Sequence, residues 1–182
     1  MKDEMSFAEC KRRVDLLVKQ GLLDEALAQC DFLIVQHPEW RVDIIRLRAY
    51  TYARKGMYPQ AISEREALIE SGDGMLRDYF QLGDNLLSAG RFAAASESFQ
   101  EVLRLGAEQN ESWFESAALL LLAYAQLRLG QLQLAIVYLD RAVAINPESA
   151  MPVHGEGMLT HQDLRIKIDE ALRQEEAKNG SQ

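Results

Sequence analysis

The sequence predicts an all-α protein: a stacked array of four helix pairs closed by a C-terminal helix. Three observations carry this. The pattern Gly-x-apolar-x-x-Ala occurs four times, beginning at Gly21, Gly56, Gly90 and Gly130 and ending at Ala26, Ala61, Ala95 and Ala135. Its glycines lie 35, 34 and 40 residues apart, and a fixed period of about 34 residues is the signature of stacked helix pairs. Apolar residues around the motif recur at helical spacing, and the chain has only four prolines in its 182 residues.

The motif has a physical reason at each position. Glycine stands where one helix stops and the chain turns, because it takes positive φ without steric cost. The large apolar residue two positions later (Leu23, Tyr58, Phe92 or Leu132) anchors the next helix. The alanine is small because two helices cross there at close range. In the first pair, Phe7, Cys10, Val14, Leu17 and Val18 form one stripe, and Leu23, Ala26, Leu27, Cys30, Leu33 and Ile34 form the other. In the third pair the first stripe is Tyr79, Leu82, Gly83, Leu86 and Leu87. In the fourth pair the second stripe is Leu132, Ala135, Ile136, Leu139, Ala142 and Val143. Pro38 and Pro147 follow two of the second helices, where a helix should have ended.

The interval of 40 contains six extra residues near Ala107–Ser112, read as an early start and longer first helix for the fourth pair. The stretch 117–125 within that helix is apolar on every side, which suits a helix buried all round or one with a face awaiting a cover. Residues 151–159, with proline and glycines, read as a loop. Thr160 to Asp163 has the form of a capping box with aspartate in place of glutamate. It opens a helix over 160–178 with Leu164, Ile168, Ala171 and Leu172 on one face, leaving a frayed tail at 179–182.

The array resembles the tetratricopeptide repeat family. The third repeat carries most of the likeness, through Tyr79, Leu82, Gly83, Leu86, Ala95 and Phe99. The fourth adds Leu119, Leu122, Ala123, Gly130, Ala135, Leu139, Ala142 and Pro147. The repeats fall at 7–40, 42–75, 76–109 and 116–149 within a domain spanning 1–150. The resemblance implies a right-handed superhelical array whose first helices line a concave face. Arg13 and Arg48 depart from the family's leucine, and Arg65 stands where a large apolar residue is expected; those two repeats are expected either to pack less regularly or to lay the arginine stems over apolar neighbours.

Composition narrows the function. The formal charge is −8, with 28 acidic and 20 basic residues, which disfavours nucleic acid as a partner. The longest apolar run, Ala117–Ala125, is far shorter than the roughly 20 residues needed to span a bilayer. The acidic start of the chain is unlike a secretory signal, so a cytoplasmic protein is expected. Cys10 and Cys30 read as free thiols filling core positions. His154 and His161, with Glu156 and Asp163 nearby, match no metal-ligand spacing. No nucleophile elbow or phosphate-cradling loop is present. The expectation is a non-enzymatic protein with no cofactor or metal.

The concave face is then the candidate site. The resemblance places on it Lys11, Asp15 and Lys19 in the first repeat, Arg46, Tyr50 and Arg54 in the second, Arg77, Phe80 and Asp84 in the third, and Leu120, Tyr124 and Arg128 in the fourth. Arginine and aromatic residues are the types enriched at binding hot spots. The expected partner is another protein: an extended segment with acidic character at one end and apolar anchors at the other. The size and acidity are similar to those of secretion-type chaperones built from this repeat. The alternative is an immunity protein that neutralises a folded toxin domain. Relatives that clamp a chaperone's terminal carboxylate use asparagine where Asp15 stands and arginine where Gln81 stands, so no such clamp is expected.

Overall fold

The computed structural model describes residues 6–179; of the tail expected to fray at 179–182, Asn179 ends the last helix and the rest lies outside the described residues. In chain order the elements are α1 (Phe7–Lys19), α2 (Leu23–Gln36), a single 3-10 turn (Pro38–Trp40), α3 (Arg41–Arg54), α4 (Tyr58–Glu70), α5 (Leu76–Ser88), α6 (Phe92–Gln109), α7 (Glu115–Arg128), α8 (Leu132–Ile145), β1 (Ala150–Val153), β2 (Gly157–Thr160) and α9 (His161–Asn179). The fold class is all-α, a helical repeat array. The chain divides into two compact units that meet in sequence between Asp78 and Tyr79.

The recurring glycine builds the same turn four times. Gly21, Gly56, Gly90 and Gly130 have φ between 73° and 78°, the left-handed region that costs other residues about 1–2 kcal/mol. Each glycine amide donates to the carbonyl three residues back, and the next amide donates to the carbonyl five back, as in Gly90→Leu87 (2.9 Å) and Arg91→Leu86 (2.8 Å). These bonds satisfy carbonyls that the ending helix leaves orphaned. The four motif alanines that follow are wholly inaccessible to solvent. At Gly83 a Cβ would stand 2.7 Å from the Phe99 ring, so only glycine lets α5 approach that side chain.

In the first unit, Cys10, Val14, Val18, Ala26, Cys30, Leu33, Ile44 and Leu47 form a core sealed by Phe7, Leu17, Leu23, Ile34 and Trp40. Both cysteines are free and buried, and burial pushes the Cys30 thiol up to about 12. The arginines that depart from the family pattern have found partners. Arg48 of α3 reaches Asp31 of α2 and Glu64 of α4, both at 2.6 Å. Arg65 does not merely lay its stem over apolar neighbours. It is 2% exposed and its Nη1 donates to Asp78 Oδ1 at 2.8 Å. Asp78 is equally buried, and its Oδ2 accepts from Arg46 Nε (3.0 Å) and from the Met75 amide (3.0 Å).

In the second unit, α7 is buried continuously from Ala118 to Gln126, enclosed by α6, α8, β1 and α9. At the end of that run the Gln126 side chain donates to Ser96 of α6 at 3.0 Å. The six extra residues do not lengthen the first helix of the fourth pair, as the sequence suggested. They lengthen α6, which runs for 18 residues and ends at Asn110, in the left-handed conformation with φ 55°. Gly106 lies buried inside that helix and is no stop signal there; its carbonyl receives the Glu111 amide of the terminating turn at 2.8 Å.

The stretch 151–159 is not the irregular loop expected. It forms most of an antiparallel hairpin in which Ala150 pairs with Thr160 and Val153 with Gly157. Each strand is short and places one buried residue inward, Val153 and Leu159. Gly155, at φ 80°, makes the tight turn closed by the Glu156 amide on the Val153 carbonyl (3.0 Å). Thr160 and Asp163 exchange amide bonds of 3.1 Å each, so aspartate does complete the capping box. The helix it opens buries His161, Leu164 and Ile168.

Removing one member of a buried ion pair strands the other without water. Asp78→Ala should therefore destabilise the protein by about 3–5 kcal/mol in urea unfolding. The joint replacement Arg65→Met with Asp78→Leu should recover much of that loss. Equal stability of wild type and Asp78→Ala would remove the assignment.

Candidate functional site

The residues expected on the partner-facing side divide between the two units. In the first, Lys11 and Asp15 form an exposed ion pair one turn apart on α1 (3.1 Å), and Lys19 is exposed at the end of that helix. Tyr50 is on the border of exposure, and its hydroxyl accepts from Arg54 Nη1 at 3.0 Å. The same guanidinium stands 5.9 Å from the centre of the Tyr50 ring, within range of a cation–π attraction. Arg77 is exposed. Arg46 is not available in the same way. Besides Asp78, it donates to the Asp73 carbonyl (2.7 Å) and to Asp43 (3.3 Å), so its guanidinium is committed to the turn before α5.

In the second unit, Phe80, Leu120 and Tyr124 lie inside the fold; the expectation that they face a partner is corrected. Phe80 packs between Phe99 (5.7 Å between ring centres) and Phe114 (4.8 Å). Leu120 and Tyr124 belong to the continuously buried run of α7. Asp84 is half-buried. Arg128 is exposed and held by its neighbours: its guanidinium lies 4.4 Å from the Phe92 ring centre, and Nη1 donates to the Tyr124 hydroxyl at 2.7 Å.

That hydroxyl in turn donates to Glu156 Oε1 at 3.3 Å, and Lys167 Nζ of α9 holds Glu156 Oε2 at 2.9 Å. The Lys167 hydrogen bond holds the Glu156 carboxyl below its usual range, and the same bond raises the Lys167 ammonium. Burial raises the Tyr124 phenol. Glu156 and Lys167 were missed by sequence reasoning because nothing in their spacing connects a hairpin turn with the second turn of the next helix. Among the described residues, no three His, Cys, Asp or Glu side chains converge as a metal-binding set. No described helix is long and apolar enough to cross a membrane.

Residues 80–150 match the tetratricopeptide repeat family. No curated protein matches the chain in sequence. Solved structures share its fold. A protein of Podosopora anserina, described as a putative kinesin light chain with nearly identical TPR-like repeats, is 17% identical with TM-score 0.70, covering 97% of this chain and 92% of its own. MamA is 18% identical with TM-score 0.63, covering 97% and 99%. TTC0263, a thermophilic TPR protein of Thermus thermophilus, is 19% identical with TM-score 0.60, covering 90% and 80%. Residues 80–150 thus carry tetratricopeptide-repeat sequence, and the chain shares the fold of these solved repeat proteins over nearly its whole length.

Glu156 has a folded-state pKa below its unfolded value of about 4.3. Its contribution to stability is therefore present above that value and lost as pH falls through the lower folded value. Glu156→Gln should flatten the acid side of the thermal stability profile below pH ~4.3 while leaving its neutral side nearly parallel to wild type. An unchanged acid limb would show that the carboxylate is not held by Lys167 in solution.

Proposed function

We propose that this chain is a protein-interaction module, an adaptor or chaperone that holds an acidic segment of another protein. The contact surface is the side of the first unit bearing Lys19, the Tyr50–Arg54 pair and Arg77. The observation that carries the reading is the Tyr50–Arg54 pair, which presents a cation already oriented over an aromatic ring on a surface open to solvent. Such a pair loses little side-chain freedom on binding, and a pre-ordered arginine and tyrosine are what a hot spot requires. The repeat fold supports a protein partner, because stacked helix pairs create extended binding surfaces. Binding, not catalysis, is the role proposed.

The net charge of −8 favours a second reading, in which the chain inhibits a folded basic domain such as a toxin. Opposite net charges speed encounter between folded partners and make association sensitive to salt.

The test is affinity capture from the source cell with the wild-type chain, followed by titration of the captured protein. Arg54→Glu with Arg77→Glu should weaken binding at least about tenfold, a loss of about 1.4 kcal/mol, with circular dichroism unchanged. Undiminished affinity would overturn the proposed surface. A partner that binds only when folded, through an association rate falling steeply with salt, would favour the inhibitor.

A further inference from the structure

The extra residues that break the repeat period carry α6 into a turn, 110–114, whose backbone is fixed but whose largest side chain the fold does not use. Asn110 ends α6 at φ 55°, and the Glu111 amide donates back to the Gly106 carbonyl at 2.8 Å. The Glu115 amide donates to the Ser112 carbonyl at 3.1 Å. Phe114 packs on Phe80, with 4.8 Å between ring centres. Trp113 stands between these anchors and is 91% exposed. Tryptophan is highly buried on average, and its large apolar ring makes it a frequent anchor of protein interfaces. Because the turn is already held by its own hydrogen bonds and by Phe114, little backbone freedom is lost when a partner covers the indole.

Charge decides what that partner is. Ser116 Oγ of α7 donates to the Ala142 carbonyl of α8 at 3.4 Å, so the first turn of α7 stands beside the last turn of α8. The carbonyl ends of α6 and α8 carry partial negative charge, and neither helix has a basic residue in its last turn. The amino end of α7 carries the opposite partial charge, which Glu115 in its first turn offsets. Residues 105–116 and 142–151 contain Glu108, Glu111, Glu115 and Glu148 but no lysine or arginine. Arg104 holds Glu108. Among the described residues, Glu111 and Glu115 have no cationic partner. Each lies two residues from Trp113, and two residues of backbone span at most about 7 Å.

We propose that Trp113, with Glu111 and Glu115, is a docking site for a basic segment of another protein. An arginine or lysine of the segment lies over the indole ring, whose face attracts cations more strongly than that of tyrosine or phenylalanine. The two carboxylates and the carbonyl end of α6 hold the same cation or its neighbour. An acidic segment is repelled by these groups, so this site and the first-unit surface take ligands of opposite charge. The net charge of −8 draws basic partners to the chain in general, and Trp113 fixes where they settle. The inference concerns the second unit alone and does not depend on the surface proposed for the first.

The test uses the full chain and a fluorescein-labelled Arg-Leu-Arg-Lys-Leu-Arg peptide, followed by fluorescence anisotropy. An acidic chain attracts any basic peptide loosely, so the decisive variant is one that leaves the charge unchanged. Trp113→Ala should weaken binding at least about tenfold. Trp113→Phe should fall between that variant and wild type, because the smaller ring holds a cation less strongly. Glu111→Gln should weaken binding more than Glu97→Gln, the same loss of charge at an exposed position near the start of α6. Since Trp113 is almost wholly exposed, the melting curves of wild type and Trp113→Ala should coincide. No binding by wild type, equal affinity of wild type and Trp113→Ala, or equal effects of the two glutamine variants would overturn the proposal. So would concentration-dependent self-association in sedimentation velocity that Trp113→Ala abolishes, which would assign the surface to a second copy of this chain.

Discussion

The close approach of helices at one alanine per pair constrains everything else in this protein. Ala26, Ala61, Ala95 and Ala135 have no solvent exposure, and each lies five residues after a glycine in the left-handed conformation. The glycine reverses the chain within a few residues, and the alanine lets the following helix lie against its neighbour without a side chain between them. Gly83 extends the same logic to α5, where the Phe99 ring occupies the space a Cβ would need. With the crossings set by small residues, larger side chains elsewhere on the helices are left to fill the core or face solvent.

Where the pattern is broken, the chain compensates locally. Arginine at the position of Arg48 ties three helices through Asp31 and Glu64. Arg65, in an apolar position, is buried because Asp78 is buried with it, and Arg46 adds a second cationic donor to the same carboxylate from the part-buried edge. Such a set adds little over well-packed apolar side chains, yet its members cannot be removed singly without penalty. The surface consequence is direct: an arginine that looks free in sequence is withdrawn from binding when a buried acid claims it.

Periodic features were legible in the sequence because each is a local rule repeated: glycine at a reversal, alanine at a crossing, apolar residues three and four apart. The capping box before α9 was readable for the same reason. The lengthened α6 was not: the extra residues continue that helix past the buried Gly106, and Asn110 supplies the left-handed residue that ends it. The hairpin escaped because its strands are four residues long and its prolines and glycines are equally at home in a loop. In the candidate site, Lys19, Arg54 and Arg77 are exposed. Leu120 and Tyr124 are buried, in a helix that the non-repeating β1 and α9 pack against in addition to α6 and α8.

Whether the alanines are the contact points of the array is tested most directly by the unfolding free energies of Ala95→Leu and Ala93→Leu, the same substitution at two positions of α6. Ala95 is buried and Ala93 is exposed. Overpacking at Ala95→Leu should cost about 1–3 kcal/mol, and Ala93→Leu should change stability by no more than about 0.5 kcal/mol. Equal effects at the two positions would contradict the assignment of these alanines to the helix crossings.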